Sequence, residues 1–165
     1  PFRDSARGAE RSGTRAARIA RDEIAEAFLI RRALESESAA QAAGRMTQSH
    51  ADRLEDILLL HARALERKKY VEAIEHDDDF HRYIAGISNL PRLWRAIEIS
   101  KAQLDRCRHM MVPREGEAET TLEKHRTIIT ALKSGDPETA ARAMRDHLET
   151  AYHSTVAVLD GPGLN

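Results

Sequence analysis

Apolar residues recur every three to four positions along most of the chain, which is the spacing of amphipathic helices. Aromatic residues make up only 4% of the sequence, and no segment keeps the two-residue alternation of a strand. The pattern therefore predicts an all-α fold, an antiparallel bundle of about six helices. The predicted helices cover roughly residues 14–43, 47–65, 69–87, 91–111, 120–133 and 137–159.

Turn-forming residues separate the predicted helices. Gly44 ends the first helix, and Asn89 is suited to the left-handed conformation that closes the third. Asp136 and Pro137 have the N-cap and first-turn preferences that open the last helix. Residues 112–119, with one proline and one glycine, are predicted to be a loop.

Size and composition indicate one globular domain. The chain has 165 residues, of which 32% are charged and 41% hydrophobic. No apolar run approaches the ~20 residues that a membrane span needs, so we expect no membrane partner. The single cysteine, Cys107, excludes an internal disulfide framework and is typical of a reducing, cytoplasmic location.

Charge is unevenly distributed along the chain. The net charge of −1 argues against a domain built to neutralise phosphates. Residues 1–21 nevertheless hold six arginines against two acidic residues. We expect residues 1–20 to be a basic arm or the remnant of a linker beside something anionic, or else a solvated terminus. The helical domain would then cover residues 21–159, and residues 160–165 would be a short tail.

Four polar residues fall on the predicted apolar stripes. Asp77 and His81 lie four residues apart and so project from one helix face, while His125 and His147 lie on the inward stripes of two later helices. One carboxylate and three imidazoles suit a divalent ion such as zinc, nickel, manganese or ferrous iron, and the lack of thiolates argues against a structural zinc clip. The alternative is an Asp–His hydrogen-bond network with ordered water, which needs no metal.

The other histidines have simpler explanations. His61 lies on the apolar stripe of the second helix and is predicted to be a core residue. The remaining four lie off the stripes or near helix ends and are predicted to be at the surface: His50, His76, His109 and His153.

Several motifs in order resemble the C-terminal effector-binding domain of GntR-superfamily transcription regulators of the FadR subfamily (FCD). They are Arg31-Arg-Ala-Leu-Glu35, Asp77-Asp-Asp-Phe-His81, Ser88-Asn89, His125, Gly135-Asp136 and Met144-Arg-Asp-His147-Leu. The resemblance covers about residues 25–155. It departs from the family at Lys124, where the family often has glutamate.

The resemblance implies a metal held by one aspartate and three histidines at the floor of a ligand cavity. Carried over by position, the metal ligands are Asp77, His81, His125 and His147, and the ion is zinc or nickel, with manganese or iron as alternatives. Arg31 becomes the expected partner of a small carboxylate effector. Arg106 and Arg108 are weaker ligand-binding candidates, because a solvated helix face would explain them equally well.

These features predict a metal-dependent, carboxylate-sensing and dimerising domain of a transcription regulator rather than an enzyme. DNA binding would come only through an N-terminal winged helix-turn-helix that residues 1–20 cannot supply. Apolar residues beyond a single stripe suggest a homodimer surface: Phe28, Leu29, Ile30, Leu90 and Trp94. Two alternatives remain, a helical metalloenzyme with an open coordination position and a bundle whose metal only stabilises the fold.

Overall fold

A computed structural model describes the backbone of residues 4–160, and the side chains of residues 21–160 apart from Pro91, Ala102, Gln103, Arg106, Met110 and Met111. Within that part the chain forms helices and no strand, which confirms the all-α prediction. The helices are α1 (Asp4–Ala43), α2 (Gln48–Glu66), α3 (Tyr70–Ile87), α4 (Pro91–Ser100), α5 (Ala102–Met111), α6 (Glu117–Lys133) and α7 (Pro137–Leu159). None of these described helices is long and apolar enough to cross a membrane.

Helix ends follow the local signals in the sequence. The Thr47 hydroxyl accepts a hydrogen bond from the His50 amide at 3.2 Å and caps α2. The Asp136 carboxylate accepts one from the Thr139 amide at 3.1 Å at the start of α7. Asn89 has a φ of 59°, as expected for the residue that closes α3. The sequence therefore specifies where α2, α3 and α7 begin or end.

The bundle core lies between α1, α2, α3, α6 and α7. The long helix α1 packs along α7, while α2 lies against α3 and α6. Small residues on α1 let these helices approach closely, and larger aliphatic side chains from the others fill the interior. Fully buried members include Ala39, Ala42, Leu54, Ile84, Ile128 and Leu132.

The predicted fourth helix is divided into α4 and α5 at Lys101. Ser100 donates its hydroxyl to the Ile97 carbonyl at 2.8 Å, and Lys101 has a nearly zero ψ of −2°. Lys101 is buried, with its ammonium 2.6 Å from Asp78 on α3 and 2.9 Å from Asp105 on α5. The division lets a buried lysine reach two carboxylates, a tertiary requirement that apolar periodicity does not reveal.

Two other boundaries differ from the prediction. Helix α1 begins at Asp4 instead of about residue 14, and α6 begins at Glu117 instead of about residue 120. The predicted basic arm therefore continues α1 from Asp4, but its side chains lie outside the described residues. Residues 161–165 of the predicted tail also lie outside them.

Two residues assigned to a dimer surface are instead packed within this chain. Phe28 stacks on Tyr152 with ring centroids 4.3 Å apart, and Trp94 is buried with Ala85 and Ile97. Only Leu29 and Leu90 of the predicted surface are exposed. The prediction was wrong for Phe28 and Trp94 because α7 and α4 supply packing partners that helical spacing alone does not identify.

Candidate metal centre and adjoining cavity

Three helices bring the predicted metal-directed residues into one buried cluster. Asp77 and His81 come from α3, His125 from α6 and His147 from α7, and all four are buried. Each lies on a stripe that continues into the apolar core, so the packing that forms the core also orients these side chains inward.

The polar atoms of the cluster approach one another closely. Nε2 of His147 lies 3.2 Å from Nε2 of His81. Asp77 places Oδ1 3.4 Å from Nε2 of His125 and Oδ2 4.0 Å from Nε2 of His81. Ligand atoms of His81, His125 and His147 all lie within 4.8 Å of one another, as do those of Asp77, His125 and a fifth residue, His61. The four predicted residues therefore divide between two triads that share His125.

A carboxylate on α1 orients His81. Oε2 of Glu35 lies 2.6 Å from Nδ1 of His81, and both side chains are buried. A proton on Nδ1 leaves the Nε2 lone pair directed at the cluster, which is how outer carboxylates fix metal-binding histidines. Arg31 donates its Nε hydrogen to Oε1 of Glu35 at 2.6 Å. Arg31, Glu35 and His81 therefore form one chain of contacts from α1 to α3.

Arginine 108 joins the cluster from the other side. It donates to Asp77, and to Asp78 at 2.7 Å. Asp78 also accepts from Lys101 at 2.6 Å, so three ion pairs in sequence link the division between α4 and α5 to the carboxylate of the cluster. Asp105 contacts both cations and completes the network.

Burial and neighbouring charges set the protonation of the cluster. Burial lowers the pKa of His147 to about 3, and the adjacent His81 acts in the same direction. Burial, reinforced by His147, also holds the pKa of His125 well below its ordinary value. Burial opposes ionisation of Asp77, but the Arg108 guanidinium lowers the pKa of that carboxyl well below its ordinary range. His125 and His147 are thus neutral imidazoles, and Asp77 is an ionised carboxylate, at neutral pH.

This donor set fits a divalent metal ion. Two nitrogens bound to one tetrahedral zinc lie roughly 3.3 Å apart, given bonds of about 2.0–2.1 Å, and the His81 and His147 nitrogens are 3.2 Å apart. Neither ring nitrogen of the fully buried His125 has a hydrogen-bond partner among the described residues. An unpaired buried polar group costs about 1–3 kcal/mol, and a metal–nitrogen bond would remove that cost.

A cavity of about 90 Å³ opens beside the cluster. Asp77 and His147 reach its wall, whereas His81 and His125 do not. Three cationic side chains line it, namely Arg31, Arg108 and Lys124. Around the remainder, the acidic Glu117 and five hydroxyl-bearing residues lie among apolar ones, namely Thr120, Thr121, Thr150, Tyr152 and Thr155. This arrangement of a polar floor, cationic walls and hydroxyl groups suits a small anionic ligand.

The predicted ligand-binding arginines have different positions. Arg31 lines the cavity and is buried, with only its Nε bonded to Glu35 among described residues. Arg108 also lines the cavity, but it is paired with Asp77 and Asp78 rather than solvated. The Arg106 side chain lies outside the described residues.

Two residues of the centre lacked a role in the sequence analysis. Glu35 was noted only as part of the first-helix motif, although its i+4 spacing from Arg31 on one face of α1 could have indicated a buried pair. His61 was assigned to the core because its stripe is otherwise apolar. Its burial is confirmed, but its proximity to Asp77 and His125 follows only from the packing of α2 on α3 and α6.

The sequence and the fold of this chain are similar to those of known proteins. The family model described as FCD domain matches residues 26–150. HTH-type transcriptional repressor RspR of Escherichia coli (strain K12) is 33% identical over 137 residues, covering 83% of this chain and 60% of that protein. The probable D-xylose utilization operon transcriptional repressor of Paenarthrobacter nicotinovorans is 30% identical over 155 residues, covering 90% and 65%.

Two further matches extend this pattern. HTH-type transcriptional repressor NanR of Edwardsiella tarda (strain FL6-60) is 30% identical over 139 residues, which is 79% of this chain and 50% of that protein. The solved structure of E. coli McbR/YncC has a TM-score of 0.70 at 23% identity, covering 81% of this chain and 66% of that one, and it shows a shared fold. The chain therefore spans between 50% and 65% of the length of these curated relatives. The relatives are named as transcription regulators, not as enzymes.

Proposed function

The chain belongs to the FCD domain family, the effector-binding domain of GntR-family transcription regulators, and we propose that it senses a small carboxylate through a bound metal ion. The observation that carries the proposal is the junction of two features. A buried cluster, which includes the neutral imidazoles of His125 and His147 and the ionised carboxylate of Asp77, meets a small cavity at Asp77 and His147. Three cations and one acid line the rest of that cavity.

The residues proposed to hold one divalent ion are Asp77, His81, His125 and His147. Zinc or nickel is the expected ion. Manganese and iron are alternatives, because imidazole and carboxylate donors suit all four metals. When bound, the metal supplies a Lewis-acidic position that a carboxylate oxygen can occupy. The chain orients His81 through Glu35 and keeps His125 and His147 deprotonated by burial.

Arg31 is the proposed charge partner of the effector. It lies at the cavity wall, and its fork of donors matches the geometry of a carboxylate. Lys124 is a further cation on the same cavity, beside Arg31 and Arg108. A ligand anchored at Asp77 and His147 would therefore face three cations and one acid, Glu117, on the remaining walls.

Arg108 gives the pocket a physical connection to the rest of the bundle. It pairs with Asp77 and Asp78, and Asp78 pairs with Lys101 at the division between α4 and α5. An anion in the cavity attracts the Arg108 guanidinium in competition with these carboxylates. We propose that this competition favours one arrangement of α3 and α5 over another, which is a shift of population driven by differential binding.

We further propose that the domain forms a two-fold dimer and acts on DNA through a winged helix-turn-helix that is not in this chain. The exposed Leu29 and Leu90 support a partner surface, and the names of the relatives support DNA-directed regulation. Sedimentation at micromolar concentrations should show a dimer, and a monomer alone would count against this part of the proposal.

Calorimetry tests carboxylate sensing directly. Chain loaded with one equivalent of zinc or nickel is titrated with sugar acids, hydroxy acids and dicarboxylates, and metal-free chain is titrated in parallel. We expect at least one acid class to bind the loaded chain and to lose binding when the metal is removed. The absence of binding across all three classes would overturn the sensor proposal.

Two neighbouring arginines provide a matched pair of variants. Arg31→Ala should weaken carboxylate binding about 10–100-fold, because a hydrogen bond to a charged group contributes about 1.5–3 kcal/mol, and should leave the metal bound. Arg32→Ala should change neither, since Arg32 pairs with Glu149 at 3.0 Å and is not among the cavity residues. Asp77→Ala should weaken both metal and carboxylate binding. Equal carboxylate affinity in Arg31→Ala and wild type would assign Arg31 a structural role on α1.

A further inference from the structure

His61 is a buried histidine that the packing of the core does not satisfy. It lies on the inward face of α2 after Ile57 and Leu58, and only 4% of its surface is exposed. Its Nδ1 has no hydrogen-bond partner among the described residues. A histidine buried only for packing leaves a polar nitrogen in an apolar setting, which is costly unless another group binds it.

Two residues of the proposed metal centre place polar atoms close to this ring. His61, Asp77 and His125 each offer a ligand atom within 4.8 Å of those of the other two. The His61 and His125 rings are 5.6 Å apart between centroids. The second triad is therefore contributed by α2, α3 and α6, whereas the first is contributed by α3, α6 and α7.

We propose that His61 is a fifth protein donor to the metal ion, so that Asp77 and four imidazoles surround it. The proposal rests on the proposed function, because it concerns the same ion. It assigns α2 a direct role in the centre. It also gives a role to the fully buried position of His125, the residue common to both triads, whose ring is 5.6 Å from that of His61 and 4.7 Å from that of His147.

The number of protein donors affects which metal ions the centre binds and how many coordination positions remain for an effector. Structural zinc sites with four protein donors are tetrahedral, and zinc expands to five ligands only in some sites, whereas nickel, manganese and ferrous iron commonly accept higher coordination numbers. A fifth donor therefore favours an ion with five or six positions, leaving one for an effector oxygen. His61 does not line the cavity, whereas Asp77 and His147 do. The remaining position would then face the cavity.

Cobalt-loaded chain tests the coordination directly, because Co²⁺ is paramagnetic and shifts the ring N–H protons of each histidine that binds it. We expect four strongly shifted histidine N–H signals in the proton spectrum of the wild-type chain. This measurement needs no variant and so does not depend on the folding of one. Three shifted signals would overturn the inference while leaving the proposed metal-dependent function intact.

Two histidine variants complete the experiment. His61→Gln should lower the affinity for Co²⁺ at least about tenfold, because removing a ligand should cost no less than the smallest effect of removing an outer-sphere partner. It should also remove one shifted signal and change the visible absorption of the cobalt. His50→Gln is the matched control, since His50 is a half-buried histidine of the same helix whose ring contacts Tyr83 instead. It should change none of these readouts.

The remaining outcomes separate the two proposals. Reduced affinity in His61→Gln with all wild-type shifted signals and an unchanged absorption spectrum would make His61 an outer-sphere residue and overturn the inference. Unchanged affinity and spectrum would overturn it as well. Failure of the wild-type chain to bind Co²⁺, Zn²⁺ or Ni²⁺ at all would overturn the proposed function along with it.

Discussion

The apolar core and the proposed metal centre lie on the same helices and are equally buried, yet burial affects their stability in opposite ways. On α6, Ile128 and Leu132 belong to the core while His125 belongs to the centre, and all three are essentially inaccessible to solvent. Burial of each aliphatic side chain contributes about 1.5–3 kcal/mol to folding. Burial of the imidazole opposes folding unless its nitrogens are bound. Equal burial therefore does not mean equal contribution to stability.

Phe80 marks the boundary between these regions. Its ring belongs to the core and stacks on His125 with centroids 4.2 Å apart. The core supplies rigid walls that hold the His125 ring in place, although neither of its nitrogens has a hydrogen-bond partner among the described residues. We infer that the core is built for stability and the centre for binding, so perturbations of the two should separate stability from metal affinity.

The largest loss of stability should come from the core. Leu132→Ala removes a fully buried side chain and should lower the free energy of unfolding by about 2–5 kcal/mol, because a cavity adds to the lost burial. Denaturant titration of the metal-free chain measures this change. Metal affinity of the folded variant should stay within a factor of two of wild type. A tenfold loss of affinity would show that the two regions are coupled.

The largest loss of metal binding should come from the centre. Wild-type chain should carry close to one divalent ion. His147→Ala should bind that ion more than about 100-fold more weakly, because removing a ligand should reduce metal affinity by more than the roughly 10–100-fold caused by removing an outer partner. Competition with a colorimetric chelator measures the affinity. The metal-free variant should be destabilised less than Leu132→Ala, because burial of an imidazole contributes less to folding than burial of an aliphatic side chain. Unchanged metal affinity would contradict the proposed ligand set.

Sequence periodicity predicted most of the fold and the inward placement of the centre, but not its partners. The stripes place Asp77, His81, His125 and His147 inward because one helical period governs apolar and polar residues alike. The contact between Glu35 and His81 spans α1 and α3, so no local pattern contains it. The burial of Lys101 likewise depends on the charge of Asp78 on another helix.

An intermediate effect should come from the residue that orients the centre without entering it. Glu35→Gln replaces the carboxylate 2.6 Å from Nδ1 of His81 with a neutral amide. The weaker acceptor makes the His81 ring less basic, and metal affinity should fall about 10–100-fold. The number of cobalt-shifted histidine N–H signals should stay as in wild type, in contrast to His61→Gln. Loss of a signal in Glu35→Gln would mean that Glu35 positions a ligand that otherwise leaves the ion.

The smallest effect, and the one that needs no variant, is the pH dependence of the metal-free chain. The pKa of His147 is about 3 in the folded chain and about 6.5 when unfolded. The unfolded chain therefore binds more protons below pH 6.5, so stability falls as pH decreases from about 6.5 toward 3. His125 and His61 are shifted in the same direction, chiefly by burial.

Lowering the pH from 7.5 to 5.5 should therefore reduce the free energy of unfolding by about 1.4 kcal/mol for His147 alone, since each pH unit below the unfolded pKa is worth about 1.36 kcal/mol. Denaturant titrations at both pH values measure this. Leu132→Ala should keep the same pH dependence of the free energy of unfolding, because the core holds no titrating group at that position. His147→Ala should lose the part of this dependence that comes from protonation of one imidazole. A metal-free chain with equal stability at pH 7.5 and 5.5 would mean that the buried imidazoles accept protons in the folded state. The centre would then be an already satisfied polar network, and the contrast with the core would disappear.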